Sequence, residues 1–175
     1  MTAELASQFS ALIVGITGGI GSGKSTVAAA LVQQFSVPCV DADQVARDVV
    51  APSSLALLQI RDYFGSAALQ ADGTLDRAWL RQQVFENAEK KQWLNELLHP
   101  LIRQQLLAEL ASFDSDYVLL MAPLLFENQL ERYCDLVVVV DVSEQTQLQR
   151  ATSRDQNSPE LIKAVMAAQI SRADR

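Results

Sequence analysis

Basic side chains are scarce in this sequence: 14 lysines and arginines stand against 21 aspartates and glutamates, a net charge of −7. Nucleic-acid surfaces are built where lysine and arginine crowd, so the balance argues against an extended nucleic-acid partner. It leaves room for one small anionic ligand, provided that the few cations gather locally. Cysteine is nearly absent. Cys39 and Cys134 are far apart, match no metal or redox spacing and sit beside apolar runs, which reads as two free, buried thiols in a reducing compartment. Long hydrophobic runs are missing too. The longest apolar stretch, 118–126, contains Pro123 and falls far short of the roughly 20 residues a bilayer-spanning helix needs. The first ten residues lack the basic segment of a secretory leader. These absences predict a cytoplasmic protein with neither membrane nor nucleic acid as partner. Histidine occurs once, at position 99.

What is present fits one folded unit. A chain of 175 residues with 49% hydrophobic content can bury a core. The runs 11–16, 37–40, 117–121 and 136–140 are short, continuous and apolar or β-branched, as in parallel strands covered on both faces. A helix is predicted over 24–35, with Val27, Leu31 and Phe35 on one face. Between Asp43 and Asp114 the pattern becomes helical, over 55–64, 77–85 and 88–110, with the loop 70–74 separating the first two. A further helix runs from Ser143 to about Arg150, and Ser158-Pro159-Glu160 marks another start. Strands alternating with helices, around one helical insert, predict an α/β doubly wound parallel sheet.

The first strand runs into Gly18-Gly19-Ile20-Gly21-Ser22-Gly23-Lys24-Ser25, a full match to G-x-x-x-x-G-K-[ST] between a strand and an amphipathic helix. Glycines let such a loop curl so that successive N–H groups point at phosphate oxygens, and the helix that begins there adds the positive end of its dipole. Lys24 would bring an ammonium to the β- and γ-phosphates, Ser25 a hydroxyl to Mg²⁺, and Thr26 would reach the α-phosphate side. Small-molecule kinases, GTPase switches and ATPase motors all use this loop. No Asn-Lys-x-Asp guanine-reading segment occurs, and the run 117–121 ends in Met121-Ala122-Pro123 without the carboxylate of a motor ATPase. Short length and the helical insert favour a kinase that uses ATP.

The second strand ends in Asp41-Ala42-Asp43. In a doubly wound sheet the carboxyl ends of strands face the ligand crevice. A carboxylate there accepts a proton from an attacking hydroxyl or helps to position a metal, or else caps the helix that follows. Asp43 is the favoured base and Asp41 the cap or the metal-side acid.

With these segments in order, the chain resembles the dephospho-coenzyme A kinase family. The match runs through 15–26, Asp41-Ala42-Asp43 with Ala46-Arg47, Asp72-Gly73 with Leu80 and Phe85, and His99-Pro100-Leu101-Ile102. It continues through Pro123-Leu124-Leu125-Phe126-Glu127, Gln147-Leu148-Gln149-Arg150 with Arg154-Asp155, and Ala168-Gln169 with Arg172. The loop by itself is generic, whereas the ordered set covers nearly the whole chain.

The resemblance implies a P-loop NTPase-type fold in which 11–48 and 114–142 form the nucleotide-binding core, 49–113 a helical acceptor-binding insert and 143–158 a short helical lid. It implies transfer of the γ-phosphoryl of ATP to the ribose 3′-hydroxyl of dephospho-coenzyme A by a monomer or weak homo-oligomer. Gly18, Gly19, Ile20, Gly21, Ser22, Gly23, Lys24, Ser25 and Thr26 would hold ATP, and Ser25 the Mg²⁺. Asp43 would act as base, with Lys24 and Arg150 on the transferred group. Arg150 and Arg154, four residues apart and so on one helical face, would close over the phosphates, where a guanidinium fork matches phosphate oxygens. Asp41, Asp43, His99, Pro123, Leu124, Leu125 and Glu127 would line the acceptor side, His99 by shaping the site rather than by acid–base chemistry. Trp79 and Trp93 read as core. Family members continue with a short apolar strand that completes the sheet, a loop that helps to hold adenine and a final helix, and this strand and helix are expected to be absent from the present sequence, which stops at Arg175. A chain ending here would expose a sheet edge and bind ATP more weakly.

Overall fold

A computed structural model describes residues 9–175; the leader question, which concerns the first residues, lies mostly outside that range. Residues 9–42 and 109–175 form one compact unit and 43–108 a second.

The first unit is built on four parallel strands in the order β2-β3-β1-β4: β1 Leu12–Thr17, β2 Cys39–Asp41, β3 Tyr117–Met121 and β4 Leu136–Val139. Register pairs Gly15 with Leu120 and with Val137, and Asp41 with Met121. Among the strand edges that differ by a residue or two from the sequence reading, two have a plain backbone reason. The second strand starts two residues later than expected because Pro38 has no N–H to give; its carbonyl instead accepts from Leu119 N at 2.9 Å. The first strand runs on to Thr17, whose carbonyl accepts from Val140 N at 2.8 Å. The interior strands are buried as continuous apolarity predicts, Ile13, Ile16, Val118 and Leu120 completely. Edge strand β4 is not, and it leaves Leu136 and Val139 exposed.

Helix α1, Lys24–Phe35, packs on β1 and β3 around Ile16, Ala28 and Leu119, with Val14, Leu31 and Met121 beside them. Its inner face is centred on Ala28, and Phe35 is 60% exposed, not on the buried side as expected. From β1 the chain crosses outward to β2, returns to β3 and then passes to the opposite side of β1 for β4. Such a reversal opens a crevice at the carboxyl end of the central strand, the usual ligand position in open α/β sheets. Here the glycine loop leaves β1.

The second unit holds most of α2 (Ala42–Asp48), α3 (Leu55–Phe64), α4 (Arg77–Glu86) and most of α5 (Ala88–Ala111). Ser54 Oγ accepts from Leu57 N at 3.1 Å and Asp76 Oδ1 from Trp79 N at 2.9 Å, so both α3 and α4 start on a capping side chain. Val50, Leu57, Ile60, Ala68, Leu75 and Leu80 form its core. Trp79 and Trp93 join that core only partly buried: Trp93 stacks on Tyr63 at 3.9 Å between centroids, and Phe64 meets both indoles edge-on. Two last helices, α6 (Glu144–Asp155) and α7 (Pro159–Ala168), return to the first unit. Among the described residues no helix is long and apolar enough to cross a membrane.

Candidate active site

The carboxyl edge of the sheet gathers four chain segments. Thr17 ends β1, and its buried Oγ1 donates to the Pro123 carbonyl at 3.4 Å, joining the glycine loop to the turn after β3. Asp41, half-buried, ends β2 in register with Met121. Asp141 follows β4.

The loop itself is folded by close approach. Ser22 N donates to Gly19 O at 3.1 Å, and Gly23 caps α1 without a side chain. Gly21 has φ +71, and a Cβ there would lie 2.5 Å from the Gln147 carbonyl, so no other residue fits. Gln147, 6% exposed, belongs to α6, and its Nε2 abuts Gly19. That helix shows two stripes. Gln147 and Ala151 face inward, while Thr146, Gln149, Arg150, Ser153 and Arg154 turn toward the loop and line a cleft of about 980 Å³ with Gly21, Ser22, Gly23, Lys24, Ser25, Thr26 and Val27.

Three cations, Lys24, Arg150 and Arg154, thus line one cleft of an acidic protein. Arg150 Nη1 donates to Ser22 O at 3.3 Å. Arg154 grips its neighbour Asp155 through two bonds of 2.6 and 2.8 Å, which raises the pKa of Arg154 and lowers that of Asp155. Ser22 Oγ is buried and has no hydrogen-bond partner in the protein. An orphaned hydroxyl in a loop that opens a helix, with Lys24, Arg150 and Arg154 on the same cleft, is what a polyphosphate satisfies. Ser25 lies exposed on the same cleft. Among the described residues no group of three or more acidic, histidine or cysteine side chains is placed to hold a metal ion. A divalent ion here would take the Ser25 hydroxyl together with substrate oxygens, the donor set that suits Mg²⁺.

The remaining sequence-derived residues are spread over both units. Asp43 is exposed in the first turn of α2, with no loop between that helix and β2. His99 is exposed on α5 and lines a shallow depression of about 360 Å³ with Lys91, Glu96 and Pro100. Pro123 and Leu124 sit beyond β3, Leu124 exposed. Leu125 requires a correction: it is fully buried, next to Gly15, and packs the core rather than facing a ligand. Glu127 Oε1 accepts from Ile170 N at 2.9 Å. Sequence reasoning assigned no role to Gln147 or Gln169. Their only signal was membership in the matched segments, because a glutamine, buried on a helix like Gln147 or half-buried at a helix end like Gln169, announces nothing until its neighbours are placed.

The family profile of dephospho-CoA kinase matches residues 12–175. The chain belongs to the dephospho-CoA kinase family. It is 53% identical over 165 residues to a dephospho-CoA kinase of Vibrio vulnificus, covering 94% of this chain and 82% of that one. A solved structure from Thermus thermophilus superposes with a TM-score of 0.83 at 32% identity, over 94% of this chain and 83% of the other. The dephospho-CoA kinase of Campylobacter jejuni gives 0.67 at 28% identity, over 93% and 82%. The α/β fold with a parallel sheet, read from the sequence, is therefore that of P-loop kinases.

Proposed function

We propose that the cleft walled by the glycine loop and α6 holds the triphosphate of ATP in the phosphorylation of dephospho-CoA. The protein is a dephospho-CoA kinase: it catalyses ATP-dependent phosphorylation of the ribose 3′-hydroxyl of dephospho-CoA, giving coenzyme A and ADP in the last step of coenzyme A biosynthesis. The observation that carries the site is the convergence of Lys24, Arg150 and Arg154 on the loop whose Ser22 hydroxyl lacks a partner.

In this reading the Lys24 ammonium and the N–H groups of 18–26 other than those of Ile20, Ser22 and Thr26, which are bonded within the protein, take the phosphates, and Arg150 and Arg154 neutralise charge that builds on the moving phosphoryl. Arg154 must first release Asp155. The 3′-oxygen forms a bond to the γ-phosphorus while the bond to the β-γ bridging oxygen breaks, and Asp43 accepts the hydroxyl proton. Mg²⁺, when bound at Ser25, supplies charge neutralisation to the phosphates. Segment 49–113, with His99, holds the acceptor; Asp41, Pro123, Leu124 and Glu127 border the acceptor at the sheet edge; and 143–158 acts as a lid. Free cysteines and the absence of an apolar spanning helix among the described residues fit a cytoplasmic enzyme; that it acts as a monomer or weak homo-oligomer is part of the proposal.

The test is turnover of dephospho-CoA with MgATP in the wild type and in Asp43→Asn. Loss of a general base slows the step by about 10²–10⁴-fold, while ATP affinity stays near its original value. Unchanged turnover in Asp43→Asn removes Asp43 from the role. Activity on nucleoside monophosphates instead of dephospho-CoA rejects the acceptor.

A further inference from the structure

The glycine loop has a second polar neighbour outside the cleft. Ile20 N, at the tip of the loop, donates to Gln169 Oε1 at 3.0 Å across 149 positions of sequence. A backbone N–H can only donate, so the side-chain oxygen of Gln169 is the atom that faces it. The next residue is tied to a different segment: Ile170 N donates to Glu127 Oε1 at 2.9 Å. Residues 169 and 170 thus bridge the glycine loop and the turn that follows β3. The stretch beyond them is pinned as well. Arg172 forks onto Asp141, Nε at 2.8 and 2.9 Å and Nη2 at 2.5 Å, which holds the Asp141 carboxyl below its usual range. Arg175 Nη2 donates to the Ile170 carbonyl at 2.9 Å, and its guanidinium lies beside Gly19. Ser171 closes a turn by donating to Asp174 Oδ2 at 2.6 Å while accepting from Asp174 N at 3.1 Å.

We propose that residues 169–175 form a strap that sets the shape of the glycine loop, with Gln169 as a positioning residue for the nucleotide. The physical reason is entropic. A loop with several glycines samples many backbone states, and ordering it on ligand binding costs affinity. A side-chain acceptor that fixes the tip N–H in the free enzyme removes part of that cost beforehand. Glu127 and the Arg172–Asp141 pair hold the strap in place, so that Gln169 Oε1 arrives at a fixed point. Because the strap reaches both the glycine loop and Glu127, the donor side and the turn after β3 share one anchor. The inference rests on ATP occupying the loop, as proposed above.

Two variants of the full chain separate the roles. Gln169→Met keeps the length of the side chain and removes the acceptor, whereas Gln169→Glu keeps an oxygen in reach of the amide. In the free enzyme, hydrogen exchange at the Ile20 amide is expected to quicken about tenfold in Gln169→Met and to stay near wild type in Gln169→Glu, the scale of one net hydrogen bond. In Gln169→Met the KM for ATP is expected to rise about three- to tenfold while the KM for dephospho-CoA stays within about twofold. Unchanged Ile20 exchange in Gln169→Met overturns the proposal. So does an unchanged KM for ATP, or an equal rise in both KM values, which would mark a merely structural role. If the wild-type loop amides fail to respond to MgATP at all, the nucleotide reading itself falls and the strap with it; a wild-type response that is weakened in Gln169→Met upholds both.

Discussion

A side chain at position 15 would meet Cys134 Sγ at 2.8 Å and Leu125 Cδ2 at 3.4 Å, so the bare backbone of β1 is what lets the thiol pack into the sheet. There Cys134 Sγ donates to the Leu130 carbonyl at 3.6 Å. Burial pushes its pKa up to about 12, and the carboxylates of Glu131 and Asp135 add to the rise. Cys39 is raised as well, by burial and then by Asp41. Neither thiol is a nucleophile at neutral pH, which agrees with a mechanism that uses no cysteine. The sign of the pH effect follows. The folded state holds the Cys134 proton more tightly than the unfolded chain, so the contribution to stability is complete below about pH 8.5, the ordinary thiol value, and is lost as pH rises toward 12. Thermal melts of the wild type and of Cys134→Ala between pH 7 and 11 check this. The wild type should lose stability above pH 9 more steeply than the variant, and parallel curves would show that the thiol does not titrate with unfolding.

At the scale of elements, α6 matters most, because one helix presents Gln147 to the loop and Arg150 and Arg154 to the cleft. Its start is held by Ser143, whose Oγ accepts from Thr146 N at 3.2 Å and lies 2.9 Å from the Thr146 hydroxyl. Ser143→Ala should cost about 1 kcal/mol, or roughly 2–4 °C in melting temperature, and Ser143→Asp should restore it. Since the frayed turn adjoins Gln147, the KM for ATP is expected to rise a few-fold in the alanine variant; a lower melting temperature with an unmoved KM would show that the cap does not place the helix. The same helix marks what the sequence could tell. Ser143 was legible as its start, as was Lys24–Phe35 as a whole, bounded by the glycine loop and Ser36. The end of α6 was read near Arg150 and lies at Asp155, because no proline or glycine precedes Pro159 to stop it. The loop and its cations were legible because their chemistry is local. The approach of Gln147 to Gly21 and of Gln169 to Ile20 was not, since each depends on two segments more than a hundred positions apart meeting through the fold.

For the whole molecule, the two units raise the question of whether the chain opens as one body. Among the described residues, the cluster centred on Ile16, Ala28 and Leu119 shares no member with that of Val50, Leu57, Ile60, Leu75 and Leu80. Regions with separate cores can open with separate free energies. If ATP binds at the loop as proposed, it stabilises only those states in which the loop is formed, by about 2.7 kcal/mol at a hundredfold excess over Kd. Saturating MgATP is therefore expected to slow amide exchange in β1, α1, β3 and α6 by up to about a hundredfold, and to slow exchange in α3 and α4 much less. Dephospho-CoA alone should reverse that emphasis if residues 49–113 receive the acceptor, because its binding energy then falls on the helices around Leu57 and Leu80. Equal protection of both units by either substrate would show one cooperative body and would remove the assignment of donor and acceptor to different units. A gain in α3 and α4 from dephospho-CoA, with none from MgATP, would place acceptor recognition in the helical insert independently of any single side chain.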